Sequence, residues 1–563
     1  MKRDLQKLQN TEFDVLIIGG GIYGATAAWE AASRGLRTAL VEKADFGGLT
    51  SANSLKIVHG GLRYLQTLDL PRVRESVRER RILLSVAPHL VRPMCCVMPT
   101  YGMLMKSKWV MRFGMIANDI LSFDRNRGLD PEHRIPRGRV VSRETCIGLV
   151  PGIDGGRVTG GAYWSDAQMV NSERLLLAFI QSADRAGAVC ANYVEAVDFL
   201  RLKNRIAGAV VRDALTGAEF EVRSRMVLNA SGGFADPVLA RAVPGIRNKM
   251  IRLSTAMNLV LNRGLLPGCA AGVSSRFSHR RADGSEYKGS RVLFVAPWQG
   301  VTLAGTFHKP YTGDPEAMAV TESDIESALS EISRAVPGAA FRREDVSFFH
   351  KGFLPMEGLN PKTGEVRLTP HYRIHDHSVE NGVEGIVSVV GVKYTTARDV
   401  AERIVKLLVK RLRAPVGRSV SRNTPLHGGD IRRFESFAEN VRTSAPFGLA
   451  PAVLNHLLSQ YGTDYPAVLK LIEGRPELGK TLPGSVEVIG GQIVHAVREE
   501  AAVRLSDAVR RRTGLGSAKH PGAEALEACG RLMAAELGWD ETRLKNEIRD
   551  AEAAYMPVRE NVA

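Results

Sequence analysis

Residues 50–65 read TSANSLKIVHGGLRYL and hold the side chains best suited to chemistry. His59, Arg63 and Tyr64 stand within six residues of one another, after a Gly60-Gly61 turn. An imidazole titrating near neutrality can accept a hydroxyl proton while hydride leaves the same carbon. A guanidinium presents a planar fork that matches phosphate or carboxylate. Together they suit a polyol that carries an anionic group. The same residues also suit a plain loop, with His59 meeting a backbone carbonyl and Arg63 in solvent. Spacing alone does not separate the two readings.

The elements that must position this segment begin upstream. Phe13-Asp14-Val15-Leu16-Ile17-Ile18 is a continuous apolar run, as expected of a strand buried on both faces. It enters Gly19-Gly20-Gly21-Ile22-Tyr23-Gly24, followed by an alanine-rich helical stretch at 25–33 closed by Gly35. A second strand at 38–41 ends in Glu42. A strand, glycine turn, helix and strand within about 30 residues predict a dinucleotide site. Gly19 permits the tight turn, Gly21 the close approach of a pyrophosphate, and Gly24 the packing of helix on strand. The helix N-terminus attracts phosphate. Glu42 suits ribose hydroxyls and repels a 2′-phosphate, which argues against NADP. The motif does not choose between FAD and NAD.

Two later segments, 225–233 and 385–391, repeat the passage from strand to glycine turn, the second leading into a helix at 396–412. Alternating strands are expected at 291–295 and 301–306. Linkers rich in turn residues stand at 413–415 and 423–429. Beyond about residue 430 strand signals stop. Ile493, Val494, Val497, Ala501, Leu505 and Val509 fall at helical spacing, which predicts a helical C-terminal domain.

Composition narrows the classes. With 44% hydrophobic and 24% charged residues the 563-residue chain is globular rather than disordered. No run of about 18 uncharged apolar residues exists, so no spanning helix is expected. The opening MKRDLQKLQN lacks an apolar signal core, which predicts a cytoplasmic protein. The net charge of +16 leaves nucleic acid, an anionic membrane or an anionic substrate as partner. No basic-aromatic reader module supports nucleic acid. Cys95, Cys96, Cys146, Cys190, Cys269 and Cys529 form no Cys-x-x-Cys and stand beside no histidine cluster. They are expected to be thiols, with neither a disulfide scaffold nor a metal site.

Lys56-Ile57-Val58-His59-Gly60-Gly61-Leu62-Arg63-Tyr64-Leu65 resembles the signature of FAD-dependent glycerol-3-phosphate dehydrogenases. Matching segments recur in order along nearly the whole chain. They include Ala87-Pro88-His89-Leu90-Val91-Arg92-Pro93, 163–170, 229–232, Val295-Ala296-Pro297-Trp298 and Tyr311-Thr312-Gly313-Asp314-Pro315. Gly391-Val392-Lys393-Tyr394-Thr395-Thr396-Ala397-Arg398 and Arg511-Arg512-Thr513-Gly514-Leu515-Gly516 continue the series. The resemblance implies an α/β fold: a Rossmann-like FAD-binding domain, an interleaved β-rich substrate domain and a C-terminal helical domain. Residues 1–425 would form the oxidoreductase region, with FAD-binding parts at about 10–80, 155–250 and 380–415. Substrate or cap parts would lie at about 81–154 and 251–379, and the helical domain at 426–563.

It further implies oxidation of glycerol 3-phosphate or a related polyol phosphate, with hydride passing to flavin N5 and electrons to quinone. His59 would take the hydroxyl proton, and Arg63, Tyr64 and Lys393 would surround the substrate. Glu42 would hold the adenosine ribose, with Ser51 and Ser54 near the pyrophosphate. Ala230, Gly232, Gly391 and Thr395, in the two later glycine turns, would complete the FAD contacts. A homodimer is compatible with this reading.

The chain departs from the family pattern around the substrate. Leu354 and Pro370 stand where the family has arginines, and Leu55 replaces a serine. Each lost charge-assisted contact costs about 1.5–3 kcal/mol. Lys351 and Arg373 are the candidate replacements, with His308, His350 and His371 as weaker ones. A flavin oxidase or dehydrogenase of a non-phosphorylated amine or hydroxy acid therefore stays open, as does a flavin-bound membrane-surface protein without turnover. Within 94–123, Trp109, Val110, Phe113, Met115 and Ile116 could form an apolar helix face among Lys106, Lys108 and Arg112. They equally suit a core with a basic rim. The family segment is associated with membrane docking, which implies peripheral attachment to the inner face of the cell membrane.

Overall fold

The Phe13–Ile18 strand is central because its side chains need cover on both sides: Val15 and Ile17 join one apolar cluster, Leu16 and Ile18 another. A computed structural model describes residues 1–102, 108–246, 249–280 and 286–558. The strand pairs in parallel with Thr38–Glu42 on one side and Glu219–Asn229 on the other. Val189–Asn192 and Ile386–Val390 extend the parallel sheet, and Arg373–Asp376 closes its edge antiparallel. Helix Ile22–Ser33 lies on this sheet between helices Ser172–Arg185 and Ala397–Leu412. Its five buried alanines are small enough to let it be enclosed on three sides.

The second sheet is mostly antiparallel and has ten strands among the described residues. From one edge they run Val366–Leu368, Val346–Leu359, Arg252–Leu261, Val301–Tyr311, Glu286–Trp298, Ala270–Arg280, Val91–Tyr101, Val158–Met169 and Ile57–Val58. Arg139–Val141 pairs beside Val158–Met169. Ile57–Val58 and Val158–Met169 thus belong to this sheet, although the sequence reading places them among the FAD-binding parts. The reverse holds for Arg373–Asp376, which pairs into the first sheet.

Ala270–Arg280 meets Val91–Tyr101 through only two registered pairs, Cys96 with Ala270 and Val97 with Ala271. Beside that narrow seam Cys95 and Cys269 form a disulfide, which corrects the expectation of thiols alone. The two cysteines are 174 residues apart, and strand pairing rather than sequence spacing brings them together. Cys96, Cys146, Cys190 and Cys529 are buried thiols.

The C-terminal region is helical among the described residues, with helices that include Phe434–Ser444, Pro451–Tyr461, Gly490–Glu499, Ala523–Leu537 and Glu541–Ala553. Ile493, Val494, Ala501, Leu505 and Val509 are buried, as their spacing predicts. They do not share one helix. Gly490–Glu499 ends where Glu500 turns inward to Arg174 Nη1 at 2.6 Å, and Ala501 takes a positive φ of 53°. A wound turn, Asp507–Arg512, then carries Arg511 and Arg512 back against Asp45, just after the strand that ends in Glu42.

Candidate active site

The glycine turn is shaped by contacts that no side chain would survive. Gly19 has φ +108°, and a Cβ there would stand 2.7 Å from the Ala230 carbonyl oxygen. At Gly24 it would stand 1.8 Å from the Gly19 carbonyl oxygen. Gly21 begins the Ile22–Ser33 helix, and the Ser51 hydroxyl accepts the Ile22 N–H at 3.0 Å. Glu42 accepts the N–H groups of Gly20 at 2.7 Å and Ala44 at 2.9 Å. Burial raises its pKa, against those two hydrogen bonds. Val392 and Lys393 donate their N–H groups to the Tyr23 hydroxyl, which donates to the Lys393 carbonyl at 2.8 Å. This knot ties the Gly391 turn to the first helix, and a Cβ at Gly391 would strike the Tyr23 ring at 2.0 Å. A Gly24→Val protein should therefore purify without its cofactor. Flavin absorbance per protein would check this, and a full complement would overturn it.

From this cradle a cavity of about 2100 Å³ runs to the second sheet. Gly19, Gly21, Glu42, Ser51, Ser54, Ala230, Gly232, Gly391 and Thr395 line it, as do His59, Arg63, Tyr64, Lys351 and Lys393. Gly24 is not on the wall, since its part is to let helix and strand touch. The open length beside the cradle, the bare glycine backbone and the helix N-terminus fit an FAD.

His59 Nδ1 is 3.3 Å from Asp166 Oδ2. Asp166 also accepts the Gly60 N–H at 2.7 Å, Arg80 Nη1 at 2.6 Å and the Trp164 indole at 3.3 Å. Burial works to raise its pKa, but the His59 hydrogen bond and the Arg80 charge outweigh that and bring it to about 2. A carboxylate held ionised at Nδ1 selects the Nδ1–H tautomer and leaves Nε2 as the basic nitrogen. Asp166 is the residue that sequence reasoning missed. Its signal was its place within the matched segment 163–170, but its pairing with His59 arises from strands Ile57–Val58 and Val158–Met169 lying side by side.

The cations are arranged differently from expectation. Lys393 Nζ lies over the Tyr64 ring at 3.8 Å and 3.2 Å from the Ser76 hydroxyl, while Arg72 stacks on the same ring at 4.1 Å. Burial and the nearby Arg72 charge push Lys393 down to about 7. Arg63 is exposed on the wall. Arg291, which sequence reasoning also passed over, lines the cavity while forking onto Glu331, with its Nε at 2.8 Å. His308 lines it too, lowered to about 4 by burial and by Arg291.

Arg373 is a correction. It sits exposed on an edge strand of the first sheet and is absent from the cavity wall. Lys351 does reach the wall, where its Nζ donates to the Met318 carbonyl at 3.3 Å. His371 faces Asp69 at 3.5 Å, and His350 is buried outside the main cavity. Leu354 and Pro370 both line the cavity, so the apolar substitutions do fall at the site.

Helix Lys108–Leu121 borders the same cavity through Met111 and Met115. Met115 is buried, so it leaves the apolar face expected from the sequence. Trp109, Phe113, Ile116, Ile120 and Phe123 are exposed, Trp109 to 69% and Phe113 to 71%. Lys106 and the Lys108 side chain lie outside the described residues. No described helix is long and apolar enough to cross a membrane.

Residues 14–394 match the family model described as FAD dependent oxidoreductase. Residues 419–544 match the one described as the C-terminal domain of alpha-glycerophosphate oxidase. Fold and cradle together define an FAD-dependent oxidoreductase. The glycerol-3-phosphate dehydrogenase of Synechocystis sp. is 32% identical over 557 residues, covering 97% of each chain. The mitochondrial glycerol-3-phosphate dehydrogenase of Rattus norvegicus is 32% identical over 578 residues, covering 97% of this chain and 74% of that one. In fold, the glycerol-3-phosphate dehydrogenase from Bacillus halodurans, solved with FAD, superposes with a TM-score of 0.73 at 23% identity, covering 98% of this chain and 95% of that one. The chain belongs to the FAD-dependent glycerol-3-phosphate dehydrogenase family.

Proposed function

We propose that this protein oxidises the secondary alcohol of glycerol 3-phosphate, or of a closely related polyol phosphate, to the ketone. The observation that carries the reading is the His59–Asp166 pair on the wall of one cavity with Arg63, Arg291 and Lys393, continuous with the glycine cradle. FAD bound there supplies the hydride acceptor. Asp166 holds the imidazole by Nδ1, and His59 Nε2 takes the hydroxyl proton. Arg63 and Arg291 draw in the anionic end, and Lys393 adds a third cation beside Tyr64. Glu42 and Ser51 organise the cradle, while Ser54, Ala230, Gly232 and Thr395, on the wall, would contact the bound cofactor. Leu354, Pro355 and Pro370 make one side of this cavity apolar.

We place the cavity mouth at a membrane surface on the exposed aromatic face of Lys108–Leu121, with Arg112 beside it for anionic lipid. An apolar quinone would then reach the cavity from the bilayer.

Mixing the oxygen-free holoprotein with glycerol 3-phosphate should bleach the visible flavin band. Bleaching by an amine or hydroxy acid alone would favour the second reading, for which Leu354 and Pro370 on the wall speak. A flavin that none of these reduces would leave only the binding role.

The low pKa of Lys393 has a consequence for substrate affinity. As pH rises through about 7 the ammonium is lost from the free protein, so KM for a dianionic substrate should climb. In Lys393→Met the KM–pH profile should be flat over that interval. An unchanged slope in the variant would remove Lys393 from anion binding.

A further inference from the structure

Lys43 follows strand Thr38–Glu42 of the first sheet, in a turn that Glu42 closes by accepting the Ala44 N–H at 2.9 Å. Its ammonium lies over the Phe234 ring, 3.4 Å from the centroid. Phe234 ends the glycine turn that follows Glu219–Asn229 in the same sheet. The partner comes from the other sheet. Glu316 stands in the short turn Pro315–Ala317, just past strand Val301–Tyr311, and its carboxylate pairs with Lys43 Nζ. That turn is set in advance: Asp314 accepts the Glu316 N–H at 3.0 Å, and the Tyr311 hydroxyl donates to the Asp314 carbonyl at 2.6 Å. Lys43, Phe234 and Glu316 all line the cavity, yet the side chains of Lys43 and Glu316 are 31% and 64% exposed. The pair therefore stands on the rim, at the Glu42 end, and joins the two sheets there. An exposed ion pair is weak and parts easily, which suits a closure that opens and re-forms.

We propose that Lys43 and Glu316, with the Phe234 ring under the ammonium, form a clasp across the rim that retains bound FAD and opens for its entry and exit. The inference holds whichever alcohol the enzyme oxidises, since it concerns the cofactor alone. Each part has a separate task. Phe234 gives the ammonium a face to rest on from its own sheet, so Lys43 is already in place when the clasp is open. The rigid turn at Asp314 presents Glu316 from the other sheet. Closing then costs the ordering of few side-chain torsions, and opening breaks no buried contact.

The test follows FAD leaving the holoprotein on dilution, by the rise in flavin fluorescence, while circular dichroism records whether the helices stay folded. Glu316→Gln loses the ion pair and should release FAD about two- to fivefold faster. Lys43→Met loses the ring contact as well and should release it about tenfold faster. The double variant should match Lys43→Met, because the carboxylate has nothing left to hold. Molar salt screens an exposed pair, so it should bring wild type toward the rate of Glu316→Gln and change that variant less. Wild-type rates in both single variants overturn the proposal. So does a double variant in which the two single effects multiply, since the side chains then act apart. Release that occurs only together with loss of helical signal overturns it too, by assigning the pair to overall stability.

Discussion

Replacing His59 by asparagine should slow flavin reduction about a hundredfold to ten-thousandfold, the usual worth of a positioned general base, while FAD stays bound. The imidazole is 44% exposed and faces the cavity, whereas the partner at its Nδ1 is a buried carboxylate. Asp166 is fixed on its other side by Arg80 and the Gly60 N–H, so it cannot follow a moving ring. The imidazole therefore has one tautomer and one orientation ready before substrate arrives. Asparagine can keep the hydrogen bond to Asp166, but it cannot take a proton from an alcohol. FAD is retained because the cradle at Gly19, Gly21 and Glu42 is built from other segments. Rapid mixing without oxygen, followed at the flavin band, measures the rate. A variant within a few-fold of wild type would end the role of His59 as base.

The second large effect concerns stability. Asp45 is buried and accepts two hydrogen bonds from Arg512 at 2.7 and 2.8 Å, one from Asn192 at 2.8 Å, and a further one from Arg511. Asp45→Ala strands two buried guanidinium groups, and breaking a buried pair in this way costs about 3–5 kcal/mol. Arg511 keeps Asp507 at 2.6 Å, which softens its loss; Arg512 keeps only the Glu500 carbonyl at 3.0 Å. Denaturant unfolding of the holoprotein should show the unfolding free energy falling by that amount and the midpoint shifting down in proportion, with flavin released in the same transition because Asp45 stands three residues past Glu42. A midpoint within experimental scatter of wild type would refute it. The sign with pH follows from burial, which opposes the charged form, being overcome by the two arginines so that the Asp45 pKa is depressed. Its contribution is present above the ordinary carboxylate range and is lost as pH falls below it.

What could be read from the sequence was what lies close together along it. The Gly19–Gly24 turn, Glu42 and His59 each belong to a short pattern whose chemistry is local. Asp166 and Arg291 reach the same cavity by strand pairing, and no local pattern announces a partner more than a hundred residues away. Arg373 shows the opposite failure. Its type suited a phosphate, but it stands exposed on an edge strand of the first sheet, off the cavity wall. The helical spacing at 493–509 foretold a buried face in a helical region, and the break between its two parts, where Glu500 pairs with Arg174, comes from a contact far along the chain. Cys95 and Cys269 were likewise invisible as a pair, since their strands are neighbours only in the folded sheet.

The bond between Asp45 and Arg512 spans 467 residues of chain, and that span has a meaning during synthesis. At bacterial or eukaryotic elongation rates roughly 20–90 s separate the emergence of the two residues. Throughout that interval the Asp45 carboxylate lacks the guanidinium of Arg512. The turn that locks the loop at Asp45 is made nearly at the end of the chain. The loop that follows Glu42 thus reaches its final set of partners only once the chain has been made through to Arg512.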